Sequence, residues 1–175
     1  GEVTRGEVEV DQGHSRGHQV TRVWLEPSAR IHPGVKAAIA RFDAVVIGPG
    51  SFFTSLLPTL MVDGVAEALG GVKGPIVLVT NLLTEGQGMT GFSAADEVSW
   101  VSRTIGRPVD VVIANEGQPS ADTLAKYAAE HSHPLPVGQL PAGVEVVTCE
   151  FWRSEIARHD RRRPRGRACR PPNAR

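Results

Sequence analysis

The segment at residues 48–54, GPGSFFT, has the composition of a loop that binds a phosphate-bearing ligand. Gly48 and Gly50 let a ligand approach the backbone closely, and the hydroxyls of Ser51 and Thr54 can hydrogen-bond its oxygens. Such a loop is best placed at the carboxyl end of a parallel strand, where ligand crevices form in α/β sheets. We therefore look for function first at this segment.

Polar side chains in two later loops are suited to the same kind of site. Asn81 and Thr84 can hydrogen-bond a nucleotide, although ordinary turn roles also explain them. Asp96 can ligate Mg²⁺ or orient a sugar hydroxyl, because hard cations prefer carboxylate oxygens. Ser93 and Asp96 are also spaced as in a capping box, in which the two residues only stabilise a helix start. No nucleophile and base pair accompanies them, so we assign no catalytic residue.

The neighbouring aromatic residues Phe52 and Phe53 allow two interpretations. Their rings can stack on a nucleotide base, or they can be buried under the helix that follows. We favour burial for at least one of the two rings.

Gly86, Gly88 and Gly91 match the GxGxxG pattern of dinucleotide-binding loops. In that fingerprint the first glycine follows its strand directly, and an acidic residue lies about 20 positions further on. Here residues 82–85 intervene, and the next strand ends about 30 positions later. We therefore favour a flexible glycine-rich loop, such as a lid.

Continuous apolar runs at residues 44–47, 75–83 and 109–114 predict three strands that are buried on both faces. Helices are predicted at residues 33–41, 58–69, 93–105 and 121–130, with Pro58 opening the second helix and Ser120 capping the last. The alternation predicts a mainly parallel α/β sheet with helices on both faces. Because parallel strands end at one edge of the sheet, the three loops should converge there. Further strands are predicted at residues 3–10, 20–25, around Val137 and at 144–148.

The formal net charge of zero hides an uneven distribution of charge along the chain. Residues 158–175 hold eight Arg and one acidic residue, so residues 1–157 retain 11 basic and 18 acidic residues, a net charge of about −7. An acidic body argues against nucleic-acid binding by the folded part. We predict one α/β domain over residues 1–157 and a basic, disordered tail over residues 158–175.

Several protein classes have no support in the sequence. No apolar run reaches the roughly 20 residues of a membrane helix, and residues 1–10 lack the pattern of a signal peptide. We therefore expect a cytoplasmic protein that does not contact the membrane. Cys149 and Cys169 form no zinc-binding pattern.

Two long motifs, IGPGSFFTSLLPTLMVDGVAEAL and VTNLLTEGQGMTGFSAADEV, carry a family resemblance. In this order and spacing they resemble the YvcK-type gluconeogenesis factors, which belong with the 2-phospho-L-lactate transferases in one CofD-like superfamily. The resemblance implies a Rossmann-like fold and a nucleotide or UDP-sugar ligand. The site residues that it implies are Gly48, Pro49, Gly50, Ser51, Thr54, Asn81, Thr84, Ser93 and Asp96.

The resemblance implies a regulatory role, namely support of cell shape and of growth on gluconeogenic carbon sources. In the sister branch, transferases move a phospho-group from a guanosine diphosphate conjugate to a deazaflavin alcohol. This alternative implies Mg²⁺ with a nucleotide diphosphate, and Asp96 is its candidate metal ligand. A third hypothesis is a truncated interaction module without a ligand.

Residues 1–42 show nothing like the GGGTG-type loop with which members of this family usually open. The chain therefore resembles the C-terminal half of such a protein. We expect the domain to be incomplete, with an exposed sheet edge that can pair with another chain, including a second copy of this one.

Overall fold

Runs of β-branched residues form a four-stranded parallel sheet at the centre of the molecule. The computed structural model describes residues 3–6, 9–10, 20–129, 131–153 and 156–159. The strands are β1 Val45–Ile47, β2 Ile76–Val79, β3 Val111–Asn115 and β4 Glu145–Cys149. They lie side by side in chain order, and each neighbouring pair is parallel. The predicted Rossmann-like α/β fold with a mainly parallel sheet is confirmed.

Helical segments separate the strands along the chain. They are α1 Pro33–Ile39, a π-helical turn Phe52–Leu56, α2 Leu57–Leu60, α3 Val65–Gly70, a 3₁₀ turn Gln87–Met89, α4 Ala94–Ile105 and α5 Ala121–Ala128. Ser120 caps α5 as predicted, because its side chain accepts a hydrogen bond from the Thr123 N–H at 3.2 Å. The predicted helix at residues 93–105 matches α4, for which Ser93 is the N-cap.

The single helix predicted at residues 58–69 is wrong in its bounds and its continuity. Helical structure already begins at Phe52, and it breaks before Gly64, whose φ of 91° is left-handed. The break coincides with a pairing to a distant segment. Asp63 donates its N–H to the Ala29 carbonyl at 2.8 Å and accepts from the Ile31 N–H at 2.9 Å. Its backbone groups are therefore not available to continue a helix.

Three predicted strands are absent from the described residues. Residues 3–6 form no ladder and residues 9–10 are helical, while residues 7–8 of that prediction lie outside the described residues. Residues 20–25 also form no ladder; Val20 and Val23 pack on the core and produce the apolar alternation that suggested a strand. Val137 accepts a hydrogen bond from the N–H of Ala95 instead of joining the sheet.

The two faces of the sheet are buried to different extents. Ile47, Ile76, Leu78 and Val112 lie in the hydrophobic core together with side chains from α1 to α4. The opposite face carries Val46, Val77, Val79, Val111, Ile113 and Val147, none of which belongs to the core formed by the described residues. Val46 is 66% exposed. Adjacent parallel strands are joined by right-handed connections, so sequential strand order places the helices that form this core on one face.

A short antiparallel hairpin follows the sheet. Its strands are β5 Trp152–Arg153 and β6 Ile156–His159, and residue 157, where the predicted domain ends, lies within β6. Residues 160–175, most of the predicted tail, lie outside the described residues. Within the described part of the chain, no helix has the length and apolar character needed to cross a membrane.

Candidate functional site

The turn after β1 presents two glycines to open space. Gly48 and Pro49 are exposed, and Gly50 is half-buried. A Cβ atom added at Gly48 or at Gly50 would meet no heavy atom of the described residues within 4 Å, and neither residue has a left-handed φ. Neither packing nor backbone conformation therefore requires glycine at these positions. Glycine there leaves room for a group that comes from outside the described part of the chain.

The side chain of Asn81 is hydrogen-bonded to the backbone of this turn. Its Nδ2 donates to the Gly50 carbonyl at 3.0 Å, and its Oδ1 accepts from the Gly50 N–H at 3.3 Å. Asn81 follows β2 and is only 8% exposed. The expected convergence of the first two loops is therefore found, but the Asn81 amide group is engaged with the protein backbone.

Glu85 is a component of this site that the sequence-based prediction missed. Its Oε2 accepts from the Phe52 N–H at 2.7 Å, and its Oε1 accepts from Asn81 Nδ2 at 3.1 Å. The carboxylate thus bridges the start of the π-helical turn and the side chain that holds Gly50. Glu85 lies inside the glycine-rich loop, where an acidic residue ordinarily indicates solvent exposure, so no local signal distinguished it.

Glu97 lies behind Asn81 in the interior and was also missed. It is 1% exposed, and its Oε2 accepts from the Asn81 N–H at 3.4 Å. Among the described residues, its Oε1 has no hydrogen-bond partner. Burial raises the pKa of Glu97 from 4.5 to about 8, opposed by the Asn81 hydrogen bond and assisted by the charge of Glu85. Glu97 therefore carries a proton at neutral pH.

A sequence signal for Glu97 did exist. Its position falls on the buried stripe of α4, between Ala94 and Val101 at helical spacing. A glutamate in the apolar stripe of an otherwise amphipathic helix is unusual, because an ionised carboxylate is costly to bury.

The aromatic rings next to the turn are buried. Phe52 and Phe53 are 0% and 7% exposed, and their ring centroids lie 5.9 and 5.6 Å from that of Phe92. Phe53 also packs edge-to-face on Trp100, with ring centroids 5.5 Å apart. The favoured interpretation, burial, is confirmed for both phenylalanines. The rings form a hydrophobic support for the turn.

The two hydroxyls of the turn interact with each other: Ser51 Oγ and Thr54 Oγ1 are hydrogen-bonded. Both residues are half-buried. Ser51 is the N-cap of the π-helical turn, and Thr54 lies within that turn.

Thr84 is hydrogen-bonded to His133. It is 5% exposed, and its Oγ1 accepts from the His133 N–H at 3.0 Å. The Thr84 N–H donates to the His133 carbonyl at 2.8 Å. The structure therefore engages Thr84 with the segment that follows α5.

Ser93 and Asp96 form the capping box that their spacing predicts. Asp96 Oδ2 accepts from the Ser93 N–H at 2.9 Å, and Ser93 Oγ accepts from the Asp96 N–H at 3.3 Å. The first two N–H groups of α4, those of Ala94 and Ala95, donate to the carbonyls of Pro136 and Val137. The amino end of α4 is thus capped by the chain itself.

A metal site at Asp96 would need further ligands. The described residues contain no group of three or more His, Cys, Asp or Glu side chains arranged to hold a metal ion. Asp96 itself is exposed and points its Oδ2 into the capping box.

The glycine-rich loop is anchored at its centre. Met89 is fully buried in the core, and Gly88 lies against Val20, since a Cβ at Gly88 would come within 3.2 Å of a Val20 methyl carbon. Gly86 is not at the end of a strand, because β2 ends at Val79. The GxGxxG match therefore lacks the strand-to-glycine geometry of a dinucleotide site.

Comparisons with known proteins bear on the family and the fold of this chain. The family model described as 2-phospho-L-lactate transferase CofD matches residues 1–154. The gluconeogenesis factor of Halalkalibacterium halodurans is 32% identical over 168 residues, which are 91% of this chain and 51% of that protein. The gluconeogenesis factor of Listeria innocua is 32% identical over 155 residues, covering 82% of this chain and 46% of that protein.

A crystal structure of a protein from Bacillus halodurans has the same fold. It superposes with a TM-score of 0.78 at 31% identity, covering 88% of this chain and 51% of that one. A second structure, described as a member of the upf0052 family from the same organism, gives a TM-score of 0.77 at 27% identity. The chain spans about half the length of the relatives that it matches.

Proposed function

Because the chain belongs to the CofD family, with relatives named gluconeogenesis factor, we propose that it is a nucleotide-sugar-binding regulatory protein of the gluconeogenesis factor type. In this proposal it acts in the cytoplasm and supports cell shape and growth on gluconeogenic carbon sources. The ligand is a UDP-sugar, and its diphosphate or sugar rests against Gly48 and Gly50.

One observation carries the proposal: the open space in front of the two turn glycines. A Cβ at either position would contact nothing in the described chain, and hydrogen bonds from Asn81 and to Glu85 hold the backbone of the same turn. A rigid backbone with one unobstructed side is suited to close ligand approach, because a pre-organised site loses little entropy on binding.

Binding without catalysis is favoured by how the other polar residues are used. The Thr84 hydroxyl is bonded to His133, and Asp96 serves in the capping box of α4. The buried carboxyl group of Glu97 is protonated at neutral pH. In these states the three residues offer no base for activating a substrate.

A Mg²⁺-dependent transfer of a phospho-group is the second candidate, and the description of the matching family model favours it. In that function Asp96 would hold the ion against the ligand's diphosphate. Asp96 would then have to give up its hydrogen bonds to Ser93. Substitution of Asp96 by Asn removes the carboxylate that would hold the ion, so it should abolish turnover.

We test the proposal by calorimetric titration of this chain with UDP-glucose and UDP-N-acetylglucosamine. Gly50→Ala should weaken binding about tenfold, because its methyl group occupies the space left for the ligand. Gly70→Ala is the matched control: a Cβ there also meets nothing within 4 Å, but Gly70 lies at the end of α3. It should bind as the unmodified chain does.

Absence of binding at millimolar ligand would overturn the proposed function. Equal losses in Gly50→Ala and Gly70→Ala would remove the site from the turn. Turnover of a guanosine diphosphate conjugate with a deazaflavin alcohol would replace the regulator by the transferase.

A further inference from the structure

Glu85 places a negative charge inside the turn that the proposed function assigns to an anionic ligand. Its carboxylate accepts from the Phe52 N–H at 2.7 Å and from Asn81 Nδ2 at 3.1 Å. The first distance is in the short range that is typical of hydrogen bonds to an ionised acceptor. The carboxylate therefore occupies two of the donors nearest to Gly50.

A phosphate oxygen would use the same donors. Backbone N–H groups and side-chain amides bind phosphate through the same hydrogen bonds that they make to a carboxylate. The Gly50 N–H is already bonded to Asn81 Oδ1, whereas an incoming anion could gain the donors held by Glu85 in exchange for the carboxylate. Ligand and Glu85 thus compete for one position.

An incoming phosphate and the Glu85 carboxylate carry charges of the same sign. The neighbouring Glu97 is protonated at neutral pH, so Glu85 is the negative charge that matters here. Repulsion between an incoming phosphate and the Glu85 carboxylate would be strong if both occupied the turn. Binding of a diphosphate therefore requires that Glu85 move away.

Glu85 can move without disturbing the core. Its side chain is half-buried, while the residues that anchor its loop are buried on both sides of it: Thr84 at 5% exposure and Met89 at 0%. Gly86, the next residue, has a left-handed φ of 57°. Rotation of the Glu85 side chain would free the two donors.

We propose that the Glu85 carboxylate substitutes for the ligand's phosphate in the free protein. The carboxylate occupies the donors of the turn and is displaced when the ligand binds. This inference rests on the proposed function and adds a selectivity rule to it. A ligand must carry an anionic group that replaces the carboxylate, so nucleotide diphosphates and their sugar conjugates are accepted. Nucleosides and free sugars have no such group and are rejected.

The test is a calorimetric comparison of the unmodified chain with Glu85→Gln, using UDP-glucose, UDP and uridine as probes. Glutamine keeps the size of the side chain and removes its charge. Affinity for UDP-glucose and UDP should rise about tenfold, since a neutral amide competes less well for the donors. Uridine should remain a poor ligand for both proteins.

Glu116→Gln is the matched control. Glu116 follows β3 at the same edge of the sheet, and its Oε2 accepts from Thr148 Oγ1 at 2.8 Å, so this variant makes an equal change in net charge away from the turn. It should leave the affinity within about twofold of the unmodified chain.

The outcomes separate this inference from the proposed function. Failure of the unmodified chain and of Glu85→Gln to bind any UDP compound overturns the proposed function. Binding by the unmodified chain with equal or weaker binding by Glu85→Gln overturns the role of Glu85 alone. If Glu85→Gln lacks a cooperative melting transition, Glu85→Ala replaces it, with the same rise in affinity expected and the same outcomes counted against the inference.

Discussion

Glu97 is an acidic residue in the least hydrated part of the molecule. Its carboxyl group is 1% exposed and receives one long hydrogen bond, from the Asn81 N–H. Protonation removes the main cost of burying it, because the neutral acid needs far less solvation than the anion. As a consequence, the free energy of unfolding depends on pH.

The sign of this dependence follows from the raised pKa. Below about pH 4.5 the carboxyl is protonated in the folded and the unfolded chain, and it contributes no pH dependence. Between pH 4.5 and about 8 only the unfolded chain releases the proton, so the free energy of unfolding falls as the pH rises. Above about pH 8 this loss is complete.

The free energy of unfolding of Glu97→Gln, relative to that of the unmodified chain, should therefore increase by on the order of a few kcal/mol from pH 5 to pH 8.5. The measurement is urea unfolding of both proteins at the two pH values. Glu145→Gln, at an exposed position on β4, is the control and should show a much smaller change. A stability difference for Glu97→Gln that is equal at both pH values would contradict the pKa shift.

The polar residues of the site were predicted from the sequence only in part. Gly48, Gly50 and Asn81 were selected as candidates, because glycine turns and amides at strand ends are local signals, and the structure brings these three residues together at one edge of the sheet. Glu85 was missed because its contact with Phe52 joins residues 33 positions apart. Side-chain pairing over that distance depends on the folded loop and leaves no trace in spacing.

At the scale of elements, the segment at residues 136–138 completes the start of α4. The carbonyls of Pro136 and Val137 accept from the N–H groups of Ala94 and Ala95. Gly138 then turns away with a φ of 71°, and a Cβ at this position would lie 2.6 Å from Ser93 Oγ. Close packing on the capping residue therefore depends on glycine here.

Gly138→Ala should destabilise the protein by about 3 kcal/mol, because it combines a left-handed backbone with a steric clash. Gly143→Ala separates the two causes, since Gly143 has a φ of 87° but open space around it. That control should lose about 1 kcal/mol. Chemical denaturation at one pH measures both values, and equal losses would show that the contact with Ser93 is not tight.

The elements that were predicted correctly are those with local signals. Helices α4 and α5 have capping residues and periodic apolar faces, and three central strands are continuous apolar runs. The strands predicted at residues 20–25 and near Val137 were wrong, since one-sided burial produces the same alternation in any extended segment. The break before Gly64 was missed because it depends on pairing with residues 29–31, far away in sequence.

At the scale of the whole molecule, the sheet has an apolar face outside the core and β1 at one edge. Val46 combines both features, since it lies on the edge strand and is 66% exposed. Exposed edges with apolar side chains pair readily with other chains. We therefore expect this chain to self-associate through β1.

Val46→Lys should reduce self-association, because a charged residue on an edge strand opposes pairing with another strand. Val35→Lys is the control: Val35 is also half-exposed, but it lies on α1. Sedimentation velocity over a range of protein concentrations measures the effect. A monomeric unmodified chain, or an equal effect of both substitutions, would exclude β1 as the interface.

The sequential order of the four strands has a consequence for the path by which the chain folds. Each strand pairs with its neighbour in sequence across a connection of about 30 residues, so each step closes a loop of nearly the same length. Loop-closure entropy grows only with the logarithm of length, and no single step dominates the barrier. Either end of the sheet can serve as a nucleus, and the remaining strand–helix units add one at a time, as in a repeat protein.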